Sequence, residues 1–152
     1  MANPTLEISE ALKSAAIYSL ETLAFTEINP KPESILEKPE KEYLGARISM
    51  GTMGNLNLVL SRQLLFDIVE VLLNPPNGDV SEETMNDTLN EILNIIAGRF
   101  LESIFKNQSD FALGLPEIHL SVAEWNQLPM RCILAADAGY ELAVGIGPET
   151  NE

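Results

Sequence analysis

The sequence has little of several residue types that particular functions need. It contains one cysteine, Cys132, and one histidine, His119. A single cysteine excludes an intrachain disulfide. Because Cys132 lies in an apolar run, we expect a small hydrophobic residue of the core rather than a nucleophile. A lone histidine makes neither a typical zinc site nor a triad whose other members are missing. No metal site is therefore predicted.

Long apolar segments and phosphate-binding loops are absent too. No window reaches the 18 or more apolar residues that a membrane span needs. The N-terminus lacks the basic region and apolar stretch of a signal peptide. There is no Walker loop and no Gly-x-Gly-x-x-Gly run. We expect a cytoplasmic protein that does not bind a membrane.

Positive charge is scarce, with 9 basic against 23 acidic side chains and a net charge of −14. Such a chain repels nucleic acid and anionic lipid at long range. It also repels free phosphate compounds unless a cation mediates. Most of the acids are simply solubilising.

What is present favours one α+β domain over residues 1–152, since 45% of the residues are apolar, enough for a core. Periodicity and turn residues predict helices at 5–25, with Thr5 as its cap, 62–73 and 81–106, a loop at 26–41, and strands at 42–50, 54–60, 116–122, 131–137 and 140–146. We expect the strands to form one mostly antiparallel sheet packed with helices. Residues 54–60 resemble residues 139–146, and each segment follows a long helix, which suggests a helix-plus-hairpin repeat.

The helix at 81–106 has two different sides when its residues are placed at 100° intervals. One side is apolar and should face the core: Met85, Leu89, Ile92, Leu93, Ile96 and Phe100. The opposite side carries Asp87, Glu91, Asn94 and Gly98, which we call the polar stripe. Asn is a modest helix former, and Gly in a helix interior costs about 1 kcal/mol relative to Ala. A helix surface without a function would not favour these residues, although spacing alone favours an ordinary solvated face.

The segment from Asn90 to Arg99 resembles the central helix of the CheC/CheX/FliY chemotaxis phosphatases. Their signature combines Asp or Ser, Glu and Asn on this helix with a later proline. Here it becomes Asp87-x-x-x-Glu91-x-x-Asn94, followed by Pro116. The order of elements and the chain length also fit, so the resemblance covers nearly the whole chain.

The resemblance implies a phosphatase that removes the phosphoryl group from the aspartate of a CheY-like response regulator. In that family the Asn, here Asn94, orients the attacking water, and the Glu, here Glu91, pairs with the regulator's active-site lysine. Asp87 and Gly98 would contact the partner. The protein would need no cofactor of its own, because Mg²⁺ is expected on the regulator.

Within the family, the CheX type is the better fit. The CheC type carries a second Glu/Asn pair on its first helix, whereas here Glu10-x-x-Lys13 and Glu21-x-x-Ala24 lack the Asn. CheX subunits have one site each and form homodimers, so the resemblance implies a homodimer.

Two other functions stay open. The same fold could be a non-catalytic interaction module that binds a response regulator or another signalling protein through the polar stripe. Alternatively, an unrelated enzyme would need a group such as His119 or Cys132 facing a cleft.

Overall fold

The computed structural model describes residues 4–24, 27–105, 113–136 and 139–149. The α-helices are α1 (Pro4–Ala24), α2 (Arg62–Leu73), α3 (Glu82–Ile104) and α4 (Val122–Trp125). The strands are β1 (Ile28–Pro30), β2 (Tyr43–Ser49), β3 (Asn55–Ser61), β4 (Glu117–Ile118), β5 (Met130–Ala136) and β6 (Glu141–Gly147). Short 3₁₀ turns occur at Glu40–Glu42, Gly51–Met53 and Pro76–Gly78.

The strands form one antiparallel sheet in the order β1-β5-β6-β3-β2-β4. The two predicted hairpins, β2–β3 and β5–β6, are therefore neighbours in the sheet, and β3 pairs with β6 at its centre. Their register is symmetric: Leu58 pairs with Val144, and each is the fourth residue of a seven-residue strand. This arrangement agrees with the repeat suggested by the sequence, and the α+β fold is confirmed.

One face of the sheet, the first face, is covered by α1, α2 and α3. Alternate strand residues, including Leu44, Leu58 and Val144, point into this layer and pack against the helices. The side chains of Leu58 and Leu89 are fully buried there. The amphipathic pattern of the sequence thus places the apolar sides of three helices in a single core.

The opposite face of the sheet, the second face, carries a smaller core. Val59, Ile133 and Ala143 pack there against Leu36 and Trp125. The covering elements are the segment before β2 and the short helix α4. The sheet is therefore buried on both faces, by long helices on one and by short segments on the other.

The predicted strand at 116–122 is wrong in its second half. Only Glu117–Ile118 pairs with β2, and Val122 begins α4. The hydroxyl of Ser121 accepts a hydrogen bond from the Glu124 N–H at 3.2 Å. Ser121 and Glu124 have the spacing of a capping box, a signal for a helix start that outweighs the short run of alternation.

Two further predictions need correction. The loop at 26–41 contains β1, whose three residues pair with β5 although Pro30 ends it. The predicted start of the first helix, with Thr5 as the cap before it, is corrected because α1 begins at Pro4 and includes Thr5. The predicted ends of the first and third helices and of the fourth strand, at Phe25, Lys106 and Asp137, lie outside the described residues.

Candidate functional site

The polar stripe lies on the solvent side of α3, opposite the core. Asp87, Glu91 and Asn94 are exposed, and Gly98 is half-buried. From Asp87 to Gly98 the stripe extends about 16 Å along the helix, at 1.5 Å per residue. The four residues predicted from the sequence therefore share one accessible surface.

The helix that carries the stripe is firmly held. Ser81 caps its N-terminus, its hydroxyl accepting from the Thr84 N–H at 3.1 Å. Leu89, Leu93 and Ile96 on the opposite side have no exposed surface. A capped helix with a fully buried side keeps its outer residues in fixed relative positions.

The side chains of the stripe have no partner in the part of the chain that the structure describes. Within the described ranges, Asp87, Glu91 and Asn94 make no side-chain hydrogen bond or ion pair. Glu82 on the same helix behaves differently: both of its carboxylate oxygens bind Arg62, at 3.0 and 3.1 Å, and this contact lowers the pKa of Glu82. The stripe thus presents two carboxylates and an amide that are available to another molecule.

Two acids of the first helix, Glu10 and Glu21, differ from Glu91 in having partners. Glu10 forms an ion pair with Lys13 at 3.5 Å, and Glu21 accepts a hydrogen bond from the Ile28 N–H at 2.9 Å. Each of these carboxylates has a partner within the chain, whereas Glu91 has none in the described part. The contrast agrees with one site per chain.

Gly98 is not required by the packing of the fold. A Cβ added there would meet no atom within 4 Å, and its φ lies outside the left-handed region. Neither crowding nor backbone conformation therefore explains the residue. Its bare backbone instead leaves room for another molecule close to the helix.

Two features beside the stripe were not predicted. The Arg99 guanidinium lies over the Tyr18 ring of α1, 4.3 Å from its centroid. Asn86 and Asn90 form a row with Asn94 at four-residue intervals, and their side-chain oxygens are buried without a partner among the described residues. Asn is unfavourable in a helix interior, so its repetition every four residues could have indicated this row from the sequence.

The two residues that an unrelated enzyme could use have different surroundings: His119 lines a pocket, whereas Cys132 packs against the main core. His119 contacts Glu124, with 2.7 Å between Nε2 and the carboxylate oxygen, and both residues line a pocket on the second face of the sheet. No nucleophile is hydrogen-bonded to His119 among the described residues. Cys132 is half-buried against the main core, and burial raises the pKa of its thiol. This supports the predicted packing role of Cys132.

Metal ligands are not gathered anywhere in the described residues: no group of three His, Cys, Asp or Glu side chains could hold an ion. Over the same residues, no helix is long and apolar enough to cross a membrane.

Comparison with known proteins agrees with the geometry. The family model described as "Chemotaxis phosphatase CheX" matches residues 47–124, just over half of the chain, including all of α3. A comparison with curated protein sequences finds no match.

Several solved structures share the fold. The CheX protein of Vibrio vulnificus superposes with a TM-score of 0.70 at 17% identity, over 95% of this chain and 99% of that one. The CheX–CheY–BeF3–Mg²⁺ complex of Borrelia burgdorferi gives 0.64 at 16% identity, over 91% and 96%. FliY of Thermotoga maritima gives 0.58 at 15% identity, over 96% and 92%. These similarities show the fold, and the family match over residues 47–124 shows that the chain belongs to the CheX family of chemotaxis phosphatases.

Proposed function

We propose that this protein dephosphorylates the phospho-aspartate of a CheY-like response regulator, which docks on the polar stripe of α3. The observation that carries the proposal is the position of Glu91 and Asn94, which lie three residues apart on the same side of α3. Both are exposed on one side of a fixed helix, and neither has an internal partner among the described residues. Residues three apart on a helix are neighbours, so both can reach one partner site.

Asn94 orients the attacking water. Phosphoryl transfer requires little covalent help from the protein, and the main demands are an in-line water and stabilisation of charge. The Asn side chain both donates and accepts hydrogen bonds without ionising. It can therefore hold a water without placing a negative charge against the phosphoryl group.

Glu91 fixes the register of docking by pairing with a lysine of the regulator. A charge-assisted hydrogen bond of this kind is stronger than a neutral one. The pairing also explains an anion beside a phosphoryl site, because the lysine neutralises it. Asp87, about one turn earlier, contacts the rim of the partner, and Gly98 allows the partner's backbone to approach α3.

Mg²⁺ belongs to the regulator in this scheme. The described residues of this chain gather no metal-binding group. The Borrelia burgdorferi structure, with CheX, CheY, BeF3 and Mg²⁺ in one complex, gives the proposal a precedent for such an encounter. This chain would contribute the water-orienting amide and the pairing carboxylate.

We further propose a homodimer with one site per chain. In the final hairpin β6 is central, and among the described residues β1 pairs with only the last three residues of β5, Leu134 to Ala136, so the first part of β5 has a strand partner on one side only. The outermost strands of the sheet are the short β1 and β4. Light scattering on the purified protein measures the mass directly, and a monomer at all concentrations would exclude the dimer.

The test of the activity is the rate of phosphate release from a phosphorylated CheY-like regulator of the source organism, in Mg²⁺ buffer. The wild-type protein should accelerate release, and Glu91→Ala should weaken the effect mainly by raising the regulator concentration needed. Glu70→Ala, an exposed acid on α2, is the matched control and should act like wild type. If the protein leaves the intrinsic rate unchanged while still binding the regulator, the non-catalytic interaction module is the better description.

A further inference from the structure

An apolar surface lies at the edge of the sheet beside α3. Leu115 exposes 91% of its surface, the largest value among the large apolar residues that the structure describes, and Ile118 exposes 41%. Pro116 lies between them in the chain and is half-buried. We call these three residues the apolar ledge. Single exposed apolar residues need no explanation, whereas a group of neighbouring ones is typical of an interaction site.

The ledge belongs to a segment that follows the outer side of β2. The His119 N–H donates to the Gly45 carbonyl at 2.9 Å, and Ile118 pairs with Ala46. Residues that pair across two strands project from the same face of a sheet. Ala46 packs in the main core on the first face, so Ile118 also projects from the face that carries α3. In agreement, α3 contacts both β2 and β4.

The ledge borders the polar stripe on the side of α3 that faces away from α1. Arg99 contacts Tyr18 of α1. Asn90 precedes Arg99 by nine residues, which at about 100° per residue places it on the opposite side of the helix. α1 packs over β5 and β6, whereas β4 lies beyond β2 at the other end of the sheet. Asn90 is therefore on the side of β4, and Asn94 of the stripe follows it by about one turn.

The backbone of the ledge is not suited to pairing with another strand. β4 has no strand partner on its outer side among the described residues. Backbone groups alternate in direction along an antiparallel strand. The His119 N–H points to β2, so Ile118 and Pro116, one and three residues earlier, direct their backbone groups outward. Proline has no N–H, and at a sheet edge it hinders the addition of a strand. A partner therefore contacts the ledge through side chains.

The size of the ledge indicates that it belongs to a larger interface. A stable interface uses about 20–30 residues on each side, so three residues do not make a separate dimer surface. The neighbouring surface is the polar stripe, which offers charged and polar groups. Exposed charge pairs contribute little affinity in water, whereas burial of apolar side chains contributes more. The two surfaces therefore complement each other in holding one partner.

We infer that the response regulator covers the apolar ledge with apolar side chains of its own when it docks on the polar stripe. The inference rests on the proposed function and adds the chemistry of the partner's surface to it. Glu91 and Asn94 serve register and catalysis, and Leu115 and Ile118 serve affinity. The regulator must then carry apolar residues beside its phosphorylation site.

The test measures binding of the regulator activated with BeF3⁻ and Mg²⁺ by calorimetry. Leu115→Ser should weaken binding about tenfold, the loss expected when one leucine side chain is no longer buried. Ile118→Thr should weaken binding by a smaller factor, because Ile118 is already more than half covered. Both variants should bind with a less negative heat-capacity change than wild type, since less apolar surface is buried. The rate of phosphate release at saturating protein should stay unchanged.

Ile35→Thr is the matched control. Ile35 exposes 42% of its surface, nearly the same fraction as Ile118, but it precedes Leu36, which packs on the second face of the sheet. This variant should bind the regulator like wild type. Thermal unfolding shows whether the variants are folded, and Leu115→Ser, at an almost fully exposed position, removes no core packing.

Equal affinity of wild type and Leu115→Ser for the regulator would overturn the inference and leave the proposed function standing. A Leu115→Ser protein with unchanged regulator affinity but a lower mass in light scattering would show that a second copy covers the ledge instead. A wild-type protein that does not bind the regulator at all would overturn the proposed function, and this inference with it.

Discussion

The guanidinium of Arg99 lies over the ring of Tyr18, 4.3 Å from its centroid, and so joins α3 to α1 at the residue next to Gly98. Both side chains are exposed, and Tyr18 retains 57% of its surface. The contact therefore supports the position of the helix that bears the polar stripe without occupying the stripe itself.

The Tyr18–Arg99 contact should contribute about 0.5–1 kcal/mol to the free energy of unfolding, the usual size of an exposed cation–π pair. A double-mutant cycle with Tyr18→Ala and Arg99→Ala, measured by urea unfolding, gives this coupling energy. Tyr18→Phe keeps the aromatic face and should retain most of it. Strictly additive single mutations would show that the contact contributes nothing.

Gly98→Ala should separate stability from activity. An added Cβ meets nothing within 4 Å, so the variant should gain up to about 1 kcal/mol of stability from better helix propensity. It should nevertheless dephosphorylate the regulator roughly tenfold more slowly or worse, since a small misplacement of the partner is costly for an in-line reaction. Urea unfolding and phosphate release measure the two effects.

The control for this prediction is Ser103→Ala, an exposed position on the same helix outside the stripe. It should change stability by only a few tenths of a kcal/mol and leave phosphate release unchanged. If Gly98→Ala is both more stable and fully active, close approach of a partner at Gly98 is the wrong explanation for this glycine.

Glu141 on the second face connects three other side chains. Lys31 binds one of its oxygens at 3.0 Å, Lys38 lies 3.6 Å from the other, and the Tyr43 hydroxyl donates to that oxygen at 3.3 Å. Burial alone would raise the pKa of Glu141, but the hydrogen bond and charge of Lys31, with Lys38 and Tyr43, bring it below its usual range. Burial, together with the charge of Glu141, raises the pKa of Tyr43 to about 12.

Stability should therefore fall at alkaline pH. In the unfolded chain the Tyr43 phenol ionises near pH 10.0, whereas in the folded protein it stays neutral until about pH 12. The unfolded state loses its proton first, so the contribution of Tyr43 is complete below pH 10 and is lost as the pH rises toward 12. Lys31, whose pKa is raised by its hydrogen bond to Glu141, loses its contribution in the same direction.

Urea unfolding at pH 9 and pH 11.5 measures the alkaline effect. Tyr43→Phe should lose less stability between these values than wild type. Tyr140→Phe removes a hydroxyl from a half-buried tyrosine in the second hairpin and should behave like wild type. Equal losses in all three proteins would show that Tyr43 is not held neutral by the fold.

Much of the fold could be predicted because its long elements have strong periodic signals. The predicted helix at 62–73 matches α2 at both ends, since Ser61 caps it and Asn74 ends it in a left-handed conformation. The hairpin strands were found to within a residue or two. The short elements β1, β4 and α4 were missed or misjudged, because two to four residues carry no periodicity and depend on contacts made elsewhere in the fold.

The polar stripe was also readable, since helical spacing alone places Glu91 and Asn94 on one side of α3. The sequence could not reveal which acids are engaged within the chain: Glu10 and Glu82 look as free as Glu91 until their basic partners are located. The pocket beside His119 was equally hidden. Its walls come from distant segments, which only the sheet register brings together.

The most direct test of the central claim compares binding and catalysis in Asn94→Ala. Affinity is measured for the regulator activated with BeF3⁻ and Mg²⁺, and the rate constant is measured at saturating protein with the phosphorylated regulator. The account predicts nearly unchanged affinity and about a hundredfold loss of acceleration, the scale seen when one preorganised polar group is removed from a reaction centre. An Asn94→Ala protein that binds and accelerates release like wild type would contradict it.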